Sequence, residues 1–232
     1  MPFQIQKTPP MDRKLELAAA LFSVLGAEIP HQTELEQEAA DLFSSLGSRS
    51  KTLKKILELC ESSDSPQALY LSAKACAWLG SGYRRQNVEF AARYLQGPPW
   101  QALPSGVAEQ NGLKFDRAAA VRADLLRDMA QAELILGDVR DAHSHYMAAC
   151  RLEPHNAMNY VKAAEAVEKQ SGREEALRFL REQRKNAWFT PVKYRDSAGK
   201  LCTNDLFQEL LNANIRKLEQ QKEPVREESP LY

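Results

Sequence analysis

Four histidines, four cysteines and an even balance of charges are the side chains from which any chemistry in this chain would be built. His143 and His145 are the one close histidine pair. Two residues apart on a helix, they diverge, so one metal ion cannot easily take both, and His155 lies past the end of the same stretch. Cys60, Cys76, Cys150 and Cys202 are widely spaced without a CxxC pair, which fits reduced thiols better than zinc or a disulfide framework. The chain contains no Gly-rich phosphate loop, HExxH, GxSxG or catalytic Cys–His signature. Glu174-Glu175 falls near a helix start, where the dipole favours negative charge, so it reads as structural rather than as an acid–base couple. No catalytic residue, metal ligand or cofactor is expected.

What remains is binding chemistry. Lys+Arg number 31 and so do Asp+Glu, a formal net charge of zero. A dedicated nucleic-acid binder carries a basic excess, so nucleic acid is not the expected partner. Tyr83 beside Arg84-Arg85 could stack on a base or grip an acidic peptide. Trp100, preceded by Pro98-Pro99, is a second candidate contact, and the aromatics Trp78, Trp188, Phe189 and Tyr194 read mainly as wedges between helices. No run approaches 18 apolar residues, so no membrane span is expected. LAAALFSVLGA has the apolar character of a secretory leader, but Asp12 and Glu16 adjoin it. A cytoplasmic location is expected.

The elements that must position these groups are helices. Asp12 is expected to open a helix running to about Leu25. Thr33-Glu34-Leu35-Glu36 is a capping-box pattern for a second helix, stopped by Gly47. Ser50 is expected to cap a third, with Leu53, Ile56, Leu57 and Cys60 as its stripe. Pro66 suits the first turn of a fourth, where a missing N–H is harmless. Gly97-Pro98-Pro99 starts a stretch without helical periodicity. Lys193–Arg195 and Lys200–Cys202 flank Asp196–Gly199 as a possible hairpin. Leu206, Leu210, Leu211, Ile215 and Leu218 mark a last amphipathic helix, with Asp205 and Gln208 as its cap.

The most informative segment is ADLLRDMAQAELILGDVRDAHSHYMAACRLEPHN, residues 123–156. Ala130 precedes the Gly137 break by seven residues, Ala142, Tyr146 and Ala149 follow it, and Pro154 closes the unit. Small residues let two helices cross closely, Gly137 can take the left-handed conformation, and Pro154 ends the second helix. One period on, Tyr160, Ala163 and Ala164 match Leu126, Met129 and Ala130, while Ala176 and Leu180 match Ala142 and Tyr146. The turn departs, with Ser171-Gly172 for Leu136-Gly137. A weaker copy lies upstream, through Ala73, Leu79-Gly80, Val88 and Ala91, with Ser81–Gln86 inserted. This pattern resembles the tetratricopeptide repeat, a 34-residue helix–turn–helix unit. The layout is also loosely similar to uncharacterised repeat proteins of anaerobic Gram-positive bacteria, through Tyr83-Arg84, Ala91, Tyr94-Leu95 and Trp100. That second likeness implies no activity.

The resemblance implies an all-α fold, a right-handed superhelix of antiparallel helix pairs with a C-terminal capping helix. The expected layout is an N-terminal helical segment (1–62), a degenerate helix pair (63–96), an irregular linker (97–115) and two repeats (116–184). An irregular or hairpin segment (185–204), a capping helix (205–221) and a flexible tail (222–232) follow. The resemblance also implies a non-enzymatic adaptor that binds a protein or peptide along its concave face. Its inner positions would be Arg127, Gln131, Leu134, Val161, Glu165 and Glu168. The Lys/Asn set with which chaperone-binding repeats hold a C-terminal carboxylate is missing. Candidate partner contacts are therefore Arg127, Gln131, Glu165, Glu168, Tyr83, Arg84 and Trp100. Two alternatives stay open: a regulatory sensor module binding a short peptide or small ligand, and an accessory enzyme with an unrecognised site around Trp100 or Tyr194.

Overall fold

The structure, a computed structural model, describes residues 12–26, 33–98, 106–185 and 191–221. Trp100, Trp188, Phe189, the N-terminal arm and the tail beyond Gln221 lie outside the described residues. Local chemistry sets the helix ends. Asp12 precedes α1 (Arg13–Gly26). Thr33 forms the full capping box of α2 (Glu34–Leu46): its hydroxyl accepts from the Glu36 N–H, and its own N–H donates to Glu36 Oε2. Gly47, at φ 66°, ends that helix in the left-handed region. α3 spans Arg49–Cys60 and starts earlier than expected. Ser48, not Ser50, is its cap, because Ser48 is the first extended residue after the Gly47 stop and its Oγ accepts from the Lys51 N–H.

α4 (Pro66–Leu79) carries Pro66 in its first turn, with Ser65 capping. A 3-10 turn, Ser81–Tyr83, takes up the insertion before α5 (Arg84–Gln96). α6 (Arg117–Leu136) and α7 (Val139–Leu152) meet at Gly137, φ 98°. α8 (Ala157–Ser171) and α9 (Arg173–Gln183) meet at Gly172, φ 90°. Such short links between helices that pack along their length reverse the chain direction. The small residues of the repeat pattern lie at the closest approaches: Ala73, Ala91, Ala130, Ala142, Ala149, Ala163 and Ala176 are all fully buried, and Tyr146 and Leu180 fill the space around them.

The chain is mostly helical and helix packs on helix throughout. Each helix from α3 to α9 contacts its successor, and α4 also contacts α6. α10 (Leu206–Gln220) packs on α8 and α9, with Phe207, Leu211, Ile215 and Leu218 in one cluster with Tyr160, Ala176 and Leu180. Asp205 makes no side-chain cap there; Asn204 Oδ1 accepts from the Leu206 N–H instead.

Two antiparallel hairpins stand beside the helices: the second falls where a hairpin was expected, and the first corrects the expected linker. The stretch 97–115 is not irregular throughout. β1 (Val107–Gln110) pairs with β2 (Leu113–Asp116) across an Asn111-Gly112 turn. Both turn residues have positive φ, 51° and 79°, the geometry for which Asn-Gly is favoured between twisted strands. In the later segment β3 (Val192–Arg195) pairs with β4 (Leu201–Asn204). Asp196 Oδ1 organises their loop by accepting from the Ala198 and Lys200 N–H groups.

Candidate functional site

A lysine in the middle of an apolar helix must find anionic partners or lose its charge. Lys74, on α4 and 7% exposed, donates to Asp124 Oδ2 at 2.7 Å and Asp128 Oδ2 at 2.5 Å, one turn apart on α6. Arg127, between them, donates to Asp124 Oδ1 at 3.2 Å, to Asn159 Oδ1 at 3.1 Å and to the Glu153 carboxylate. Buried Asn159, on α8, in turn donates to the Ala149 and Glu153 carbonyls. A polar chain thus links α4, α6 and the start of α8. Burial opposes the Lys74 charge, but Asp128 and Asp124 outweigh it and raise its pKa. Burial likewise opposes ionisation of Asp124, yet Lys74 and Arg127 hold its carboxyl below the usual range. Asp128 moves the other way: burial, helped by the Asp124 charge, keeps it above that range despite Lys74. Two carboxylates sharing one lysine are expected to split in this manner.

The sequence candidates therefore separate. Arg127 directs its guanidinium inward, to α6 and α8 partners, because three acceptors lie within its reach. Leu134 and Val161, placed with it on the inner face by the repeat register, are buried in the core. Gln131 and Arg84, 47 positions apart, line one cavity of about 170 Å³ between α4, α6 and the start of α5. Tyr83 lies half-buried in the preceding 3-10 turn. Glu165 pairs with Lys162 one turn before it, and Glu165 and Glu168 line a small cleft against Asn214 and Lys217 of α10. Trp100 is outside the described residues. His145 sits half-buried with Nδ1 2.7 Å from Glu133 Oε2, whose side chain is buried.

Two residues of the small cavity escaped the sequence reading. Asp128 lines it beside its Lys74 contact. Asn87, 1% exposed, donates from Nδ2 to the Ala73 carbonyl at 2.9 Å, and its buried Oδ1 has no hydrogen-bond partner among the described residues. An unmet acceptor of this kind costs roughly 1–3 kcal/mol and is relieved by any donor that reaches it. Arg84 forms no ion pair among the described residues, while Gln131 Oε1 accepts from the Tyr146 hydroxyl at 3.3 Å. The cavity thus brings together a guanidinium, an amide, an unmet acceptor and a carboxylate, with Ile135, 48% exposed, on its wall. Those groups suit polar main-chain or side-chain contacts.

A larger cavity, about 430 Å³, lies between the hairpins, the α7–α8 turn and the first turns of α10. Among the described residues no group of three or more His, Cys, Asp or Glu side chains is placed to hold a metal ion. No described helix is long and apolar enough to cross a membrane. The chain matches no protein-family model, and no curated protein is significantly similar to it in sequence.

Proposed function

We propose that this chain is a non-enzymatic, protein- or peptide-binding scaffold of the tetratricopeptide kind. Its helix pairs wind as a right-handed solenoid that α10 caps, and it works in the cytoplasm. Buried alanines at the helix crossings and the packing of α10 on the last pair support the architecture. Four free thiols, three of them buried, suit a reducing compartment. The observation that carries the binding role is the cavity shared by Arg84, Asn87, Asp128 and Gln131. A peptide group there offers a carbonyl or carboxylate to the Arg84 guanidinium and the Gln131 amide. Beside it the Lys74–Asp124–Arg127–Glu153 charges neutralise one another, so hydrogen-bond geometry rather than net charge selects the ligand.

Selection of a random peptide library on the folded chain tests this. Enriched peptides are expected to lose affinity on the order of tenfold with Arg84→Glu at unchanged melting temperature, and with Gln131→Ala, which also leaves the Tyr146 hydroxyl without that acceptor. Absence of enrichment, or binding indifferent to both substitutions, refutes the role. A second reading, a sensor module for a small ligand, is favoured by the separate hairpin cavity.

A further inference from the structure

The two hairpins are remote in sequence but meet in space. Asn204 Nδ2 donates to the Asn111 carbonyl at 3.0 Å across 93 positions. Gly112 rests against β3 so closely that a Cβ there would lie 2.8 Å from Tyr194 Cβ and 3.1 Å from Val192 Cγ1. The cavity between them has walls from Leu113 and Phe115 of the first hairpin, Val192 of the second, Met158 of α8 and Leu206 and Leu210 of α10. At about 430 Å³ it falls in the size range of pockets that take small organic molecules.

The charge state of the walls is as telling as their size. Glu153 and His155 are the ionisable side chains among the lining residues. The Glu153 carboxylate is already paired with Arg127 and also accepts from Asn156 Nδ2 at 3.3 Å. The His155 ring lies 5.7 Å from the Phe115 ring, and burial lowers its pKa, which keeps it neutral near pH 7. Asn156 and Asn204 spend their amides on the chain itself. The Gln110 and Asn111 side-chain amides at the rim make no hydrogen bond among the described residues. Among the described lining residues the Glu153 charge is already paired, and burying an incoming charge without a partner is costly.

We infer that the cavity between the hairpins is a binding site for a small, uncharged, largely apolar organic molecule, oriented by the Gln110 and Asn111 amides at its rim. This site is separate from the peptide-binding cavity proposed between α4 and α6. A ligand filling it touches both hairpins and α10 at once, and so adds to the Asn204–Asn111 hydrogen bond and the Gly112 contact between the hairpins.

The test uses two fluorescent probes with one skeleton. N-phenyl-1-naphthylamine is neutral, and 8-anilino-1-naphthalenesulfonate adds a fixed negative charge. The full chain is expected to bind the neutral dye saturably, and on the order of tenfold more tightly than the sulfonate. Met158→Trp and Leu206→Trp, at positions 39% and 55% exposed, put bulk at the cavity wall without disturbing a buried site. Both are expected to weaken the neutral dye on the order of tenfold with an unchanged melting temperature, while Ile135→Trp at the α4–α6 cavity has no effect. Equal or tighter binding of the sulfonate, no saturable signal, or a signal that survives both wall substitutions overturns the proposal. Displacement of the dye by a peptide selected on the α4–α6 cavity would merge the two sites and overturn it as well. Failure of the peptide selection alone leaves the dye result intact.

Discussion

Replacing Lys74 with Met removes the charge that joins α4 to α6 while keeping most of the side-chain volume. Removing one partner of a buried ion pair typically costs about 3–5 kcal/mol, because the other partner is left uncompensated. Here Lys74 is buried, but the Asp124 and Asp128 side chains keep 35% and 25% exposure, so water recovers part of the loss. Arg127 also continues to hold Asp124. The discounted expectation is about 2–3 kcal/mol, or roughly 4–12 °C of melting temperature for a chain of this size. The pH dependence gives a sharper check. Asp128 is raised in the folded state, so its contribution to stability is present at low pH and is lost as pH rises through its folded pKa. Without Lys74 its pKa rises further. Asp124 is lowered in the native protein, so its contribution is present at neutral pH and lost on acidification, and part of that contribution disappears with the lysine. The deficit of Lys74→Met is therefore largest near neutral pH and narrows as pH falls into the carboxylate range, about pH 4–5. Urea denaturation at about pH 7 and about pH 5 measures both effects, and Asp128→Asn in the Lys74→Met background is expected to restore more than half of the loss. A neutral-pH loss under about 0.5 kcal/mol, or one that does not change with pH, refutes the reasoning.

Ala142→Leu is expected to destabilise by roughly 1–3 kcal/mol, since Ala142 is fully buried among Ala130, Tyr146, Ala163 and Ala166; a wild-type denaturation midpoint would contradict the close crossing. Gly112→Ala combines a positive φ of 79° with a Cβ contact at 2.8 Å, so amide exchange in 106–116 and 192–204 should accelerate; unchanged exchange would show that the hairpins do not depend on each other. Burial pushes the Cys60 thiol up to about 11 and those of Cys76 and Cys150 to about 12, whereas Cys202 is partly exposed. Ellman's reagent at mildly alkaline pH should therefore titrate one thiol quickly and all four only after denaturation, and a second fast thiol would contradict that burial.

Helix positions and their tight crossings were legible in the chain because both depend on local pattern. Thr33 with Glu36, Pro66, Gly137 and the alanines of residues 123–184 act within one or two turns of helix, a range that spacing reveals directly. The Asn111-Gly112 turn is equally local, but the reading of 97–115 as irregular passed over it. The candidate sites were legible only as scattered residue types. Register suggested an inner position for Arg127, but its partner Glu153 is 26 positions away and Asn159 is 32 away, so inward pairing is decided by how α6 meets α8. Lys74 stands out as a lone charge in an apolar helix, yet Asp124 and Asp128, 50 and 54 positions on, are singled out only by the packing of α4 on α6. Asn87 carried no sequence signal, because an unmet acceptor is a property of enclosure and not of residue type. The cavity between the hairpins follows the same rule. Its walls come from six strands and helices between Gln110 and Leu210, and no period or motif links residues that only folding brings together.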